Sequence, residues 1–166
     1  MFELKSLSKE GIDSALQKAE RYRLLNEPWD AESICLDILE LDPDNQPALI
    51  TLLLAITDQF KTEGGARTHD AKKVLKRLKS EYHQAYYTGI IWERWGTAAL
   101  SWQSPGHGRM TYERLRKAMG FYEEAEKIRP AGDDSAIVRW NSCARMIMRL
   151  DYVEPPPEDD FRPLLE

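Results

Sequence analysis

The chain has 166 residues, 42% hydrophobic and 31% charged, a balance that suits a single soluble domain with a buried core. Its formal net charge of −5 argues against a general affinity for nucleic acid. Met1 to Ile12 carries Glu3, Lys5, Lys9 and Glu10 and no apolar run, so no secretory signal is expected. The most apolar stretch, Ala48 to Ile56, is too short to span a bilayer.

Alternating β-branched runs are almost absent and helical spacing appears nearly everywhere, which predicts an all-α chain. A first helix is expected from Lys9 to Asn26, with Ser8 as its cap and Ile12, Ala15, Leu16, Ala19, Tyr22 and Leu25 as its apolar stripe. Pro28 opens a second helix, bearing Ala31, Ile34, Cys35, Ile38 and Leu39 and stopping at Asp42-Pro43. A third follows Asn45 and extends to Phe60, apolar nearly all round, so it needs neighbours on several sides. After a loop at Gly64-Gly65, a fourth starts near His69 or Asp70 and carries Ala71, Val74, Leu75 and Leu78. A break is placed near Ser80, because a helix of some thirty residues is unusual. The aromatic segment Tyr82 to Trp102 forms the fifth helix and Ser104 to Gly108 a loop. The sixth helix runs from Met110 to Arg129. Asp133, Asp134 and Ser135 then offer caps to a last helix from Ala136 to Leu150. The domain is expected to occupy residues 1–152, with an acidic, proline-rich and extended tail over 153–166.

The second, fourth and sixth helices share one pattern, a small residue followed by apolar residues four and seven positions on. It reads Ala31, Cys35, Ile38, then Ala71, Leu75, Leu78, then Ala118, Tyr122, Ala125. Ala31 to Pro43 and Ala118 to Pro130 also span the same twelve-residue interval. With Ala19 and Tyr22 in the first helix, these positions resemble the tetratricopeptide repeat, a helix-turn-helix unit of about 34 residues. The resemblance covers Gly11 to Leu150. It implies a right-handed α-solenoid of stacked antiparallel helix pairs, about three repeats, closed by Ala136 to Leu150 as a capping helix. Arg139, Asn141, Arg145 and Arg149 would lie on that helix's wet side. Pro43 and Pro130 stand further apart than two repeats require, by roughly nineteen residues, and the surplus is assigned to the two glycine-containing loops. In the fifth helix either Gly89 or Gly96 takes the family's small position; Gly89 is preferred because it leaves Trp92 at the aromatic one.

Nothing in the sequence forms a nucleophile–base set, a Cys-x-x-Cys or a paired histidine, so no catalytic, metal or cofactor site is expected. Cys35 and Cys143 lie in helix-periodic segments and read as small buried hydrophobes, in keeping with a reducing, cytoplasmic setting. The resemblance implies a concave groove lined by the first helix of each pair. The positions are Leu16, Glu20 and Arg23, then Ile50, Leu54 and Thr57, then Tyr86, Ile90 and Glu93. The partner expected there is a protein or peptide, with neither nucleic acid nor membrane. Some relatives grip C-terminal carboxylates with lysine and asparagine where Leu16 and Glu20 stand, so no such clamp is expected. Two or three of the six aromatics from Tyr82 to Trp102 are expected in the groove. Lys72, Lys73, Lys76, Arg77 and Lys79 form either an ordinary wet helix face or a docking patch for an acidic partner, the tail Glu154 to Asp160 included. A self-associating structural subunit is the alternative function. An enzyme or ligand-binding helical domain, with its site between the aromatic segment and the Ser104–Gly108 loop, ranks below it.

Overall fold

In the computed structural model, residues 2–63, 67–101 and 106–155 are described, Glu63 by its backbone alone. A 3-10 turn, Lys9–Gly11, leads into α1 (Ile12–Leu24). There follow α2 (Pro28–Leu41), α3 (Gln46–Asp58), a single turn α4 (Phe60–Glu63), α5 (Thr68–Leu75), α6 (Glu81–Ala99), α7 (His107–Lys127) and α8 (Ser135–Arg149). Among the described residues there is no strand.

Local chemistry sets most boundaries. Pro28 occupies the first turn of α2, where its missing N–H is no loss. Asn45 caps α3, its Oδ1 accepting the Ala48 N–H at 3.0 Å. Ser80 does the same for α6, its Oγ accepting from the His83 N–H at 3.2 Å, which fixes the break expected there. Asp133 Oδ1 accepts the Ser135 N–H at 3.0 Å just ahead of α8. Asn26 adopts φ 61°, a left-handed conformation that asparagine tolerates, and so turns the chain from α1 into α2.

Several expectations change. Ser8 makes no side-chain cap, because a 3-10 turn separates it from α1. The third helix ends at Asp58 rather than Phe60. Gln59 there is buried, its Nε2 donating to the Ala55 carbonyl at 3.1 Å and to Glu32 Oε2 at 2.7 Å. The helix expected from Met110 begins earlier, at His107. The surplus length is not confined to loops, since α6 and α7 run 19 and 21 residues where α1 and α2 run 13 and 14. The glycine loops themselves, residues 64–66 and 102–105, lie outside the described residues.

Each long helix packs on the next in sequence, and α1 also touches α3, as α3 touches α6. Ala19, Ala31, Ala71, Ala118 and Ala125 are fully buried, so the shared small positions sit where helices approach most closely. One apolar cluster joins α1, α2, α3 and α5 and takes Ile91 and Ala98 from α6. A second joins α6, α7 and α8 around Leu115, Met119 and Tyr122. Gly89 and Gly96 both face α7. A Cβ on Gly89 would fall 2.4 Å from the Tyr122 ring, and one on Gly96 3.1 Å from Arg114 Cβ.

After α8 the chain folds back. The Val153 N–H donates to the Leu150 carbonyl at 2.8 Å, and Val153 is only 3% exposed. The Tyr152 backbone crosses Gly108 so closely that no Cβ would fit there. Residues 156–166 lie outside the described ones.

Candidate functional site

The nine groove positions fall on α1, α3 and α6, with α3 touching the other two, but at different depths. Glu20 is exposed, while Leu16, Arg23, Ile50, Leu54 and Tyr86 are partly buried. Thr57, Ile90 and Glu93 are buried, with Glu93 only 7% exposed. These three belong to the foundation of the face rather than its surface. The long α6 packs Ile90 into the second cluster, and Glu93 turns toward α7 and α8.

Two polar networks tie this face together. In the first, Asp58 of α3 accepts from Arg23 Nε of α1 at 2.8 Å and forms an ion pair with Arg94 of α6, its Oδ1 lying 2.7 Å from Nη1. Arg94 Nη1 also donates to the Leu54 carbonyl at 2.9 Å and to Thr57 Oγ1 at 2.5 Å. Burial pulls the Arg94 pKa down, and the Asp58 carboxylate opposes that shift. In the second, Glu93 accepts the Tyr122 hydroxyl at 2.5 Å and Arg139 Nη1 at 3.0 Å, so one carboxylate joins α6, α7 and α8. Burial and the neighbouring Glu93 charge raise the Tyr122 pKa, so the phenol keeps its proton and donates. Arg139 is thereby drawn inward, contrary to the wet position expected for it. Arg145 and Arg149 are exposed and Asn141 is half-buried.

Beside the first network lies a cavity of about 320 Å³, bordered by Arg23, Leu24, Asn26, Thr57, Asp58, Lys61, Arg94 and Thr97. Sequence reasoning placed Arg23 and Thr57 here but missed Asp58 and Arg94. A usable signal existed, because Arg23 and Asp58 are 35 residues apart, close to one repeat period.

The aromatics divide between two sides of α6. Tyr86 and Tyr87 meet edge to face at 5.0 Å on the side of α1, α3 and α8. Tyr82 is buried and donates to Asp133 Oδ2 at 2.8 Å. Trp92 and Trp95 turn instead toward α5 and α7, away from the expected groove. There Lys72 and Lys117 lie 5.5 and 4.5 Å from the Trp92 ring centroid and Arg114 lies 3.8 Å from that of Trp95. Trp102 lies outside the described residues.

The basic patch is not one uniform surface. Lys72 covers tryptophan, Lys73 pairs with Asp70 at 3.9 Å, and Lys79 pairs with Asp44 at 3.0 Å. Arg77 Nη2 donates to the Pro43 carbonyl at 2.6 Å. Arg77 and Lys79 therefore fasten the end of α5 to the α2–α3 turn, while Lys76 borders a shallow cleft between α5 and α7.

Cys35 and Cys143 are buried, and burial pushes both thiols from 9.0 up to about 12, so neither is poised as a nucleophile. Among the described residues no cluster of three or more His, Cys, Asp or Glu side chains could hold a metal ion. No helix there is long and apolar enough to cross a membrane. Compared with family models, curated proteins and solved structures, the chain matches none.

Proposed function

We propose that the chain is a protein-interaction module built as a short right-handed solenoid of tetratricopeptide-type helix pairs, α1–α2, α3–α5 and α6–α7, with α8 as the cap. Its first helices form one face that receives a peptide or helix of a partner protein. The observation that carries this reading is the shared Asp58 carboxylate, which joins three helices well separated in sequence along one face. Burial of every small position in the shared pattern supports the stacking. Partly exposed Leu16, Ile50, Leu54 and Tyr86 supply apolar contact beside Glu20 and Arg23. No catalytic step is assigned, and two buried free thiols fit a cytoplasmic scaffold.

A photo-crosslinking residue at Leu54 or Tyr86, compared with one at Leu36 on the exposed side of α2, tests the docking face. Partner adducts at the first two positions and none at the third are expected. Adducts at Leu36 alone would move docking elsewhere.

A second reading, self-association, draws on α8, whose outer side exposes Val138 at 63% and Met148 at 74%. Light scattering that shows only monomer over a wide concentration range would remove it.

A further inference from the structure

The cavity between α1, α3 and α6 holds more positive charge than its own carboxylate answers. Arg23 donates from its Nε to Asp58, while Arg94 donates from its Nη1 to the Leu54 carbonyl and Thr57 and meets Asp58 as an ion pair. Neither guanidinium has a further hydrogen-bond partner among the described residues, so both Nη atoms of Arg23 and the Nη2 and Nε of Arg94 remain as donors. Their side chains keep 18% and 20% exposure, enough for contact from the cavity and little enough to limit screening by water. Two guanidinium groups against one carboxylate leave a net positive charge at the cavity wall.

Resting on the docking reading above, we infer that this cavity is an anion site that takes a side-chain carboxylate from an acidic segment of the partner. A guanidinium presents a planar fork of N–H donors that matches a carboxylate in two parallel hydrogen bonds. Asp58 already shows that both arginines accept a carboxylate between them. A second carboxylate engages their outer edges and brings the two guanidinium charges to balance. Asn26 and Thr97 line the same cavity with polar groups, and Leu24 beside them is almost wholly exposed, so a partner residue with an acid next to an apolar side chain fits best.

The test is a titration of the full ¹⁵N-labelled chain with sodium succinate at constant ionic strength, following the arginine Nε–Hε resonances. Saturable shifts at Arg23 and Arg94, with none at the exposed Arg145 and Arg149, are expected. Asn26→Asp sets a carboxylate at the cavity rim with no change of size, and weakens succinate binding about tenfold or more. Asp58→Asn removes the internal carboxylate and strengthens it by about tenfold, an increase that a purely structural role for Asp58 does not give. If Asp58→Asn fails to fold, Asn26→Asp on its exposed turn still decides.

Equal, unsaturable shifts at all arginines, or an Asn26→Asp protein that binds like the parent, would overturn the site. Inorganic phosphate binding more tightly than succinate at the same ionic strength would overturn the carboxylate assignment. Saturable succinate binding with no crosslinks at Leu54 keeps the anion site and removes the docking face; crosslinks at Leu54 without saturable binding do the reverse.

Discussion

Replacing Gly89 with alanine is expected to destabilise the protein by about 2 kcal/mol, although glycine to alanine within a helix ordinarily gains about 1 kcal/mol. The added Cβ would fall 2.4, 2.7 and 2.9 Å from Cε1, Cδ1 and Cζ of Tyr122. That ring is 1% exposed, and its hydroxyl is held by Glu93 at 2.5 Å, so it has no free direction in which to move. If α6 and α7 separate, overpacking costs about 1–3 kcal/mol. If the ring swings away instead, buried Glu93 loses a donor, at a similar cost of about 1–3 kcal/mol. Either route outweighs the propensity gain. Gly120→Ala on α7 is the control, since nothing lies within 4 Å of its Cβ, and it is expected to stabilise by about 1 kcal/mol. Urea unfolding followed by circular dichroism measures both. A loss of about 2 kcal/mol lowers Tm by about 4–8 °C for a domain of this size. A Gly89→Ala protein as stable as its parent would refute the close approach of α6 and α7.

Val153→Ala is expected to cost about 1–2 kcal/mol in urea unfolding, because two buried carbon groups are removed; no change would show that the residues after α8 do not dock. Neither cysteine is expected to react with a thiol-specific disulfide reagent at pH 8 in the folded protein, whereas both react in urea; rapid reaction of the folded protein would contradict their burial. Folding raises both thiol pKa values from 9.0 to about 12. The stability they contribute is therefore intact below pH 9 and is lost as pH rises toward 12, which a series of unfolding midpoints would show. Asn45→Ala removes the cap on the Ala48 N–H and is expected to lower stability by about 1 kcal/mol in the same assay.

The helices were legible because their signals are local. Pro28 and Asn45 fix starts through backbone geometry and hydrogen bonds within three residues, so sequence order alone reveals them, whereas the break at Ser80 was read from helix length and its cap only from the structure. The small-residue pattern was legible because close packing demands alanine or glycine at a fixed helical spacing. The depth of the candidate site was not. Glu93 read as a groove position and Arg139 as a wet one, and only the packing of α8 against α6 and α7 turns them into a part-buried pair. Arg94 escaped notice because its role depends on Asp58, a residue beyond the helix face chosen for the groove. Gln59 gave no sign that it would end α3, since its bond to Glu32 is made across 27 residues of sequence.

The stacking of helix pairs in an open row is tested most directly by pulsed dipolar spectroscopy between spin labels at Glu20→Cys on α1 and Ser142→Cys on α8, both exposed positions. The buried native thiols leave the added cysteines as the labelling sites. With α3 and α6 interposed and neighbouring axes about 8–10 Å apart, an open row places the labels about 25 Å or more from each other. Labels held near the spacing of adjacent helix axes, about 8–10 Å, and seen as dipolar broadening of the continuous-wave spectrum, would mean a closed bundle, and would contradict both the row and the face it presents.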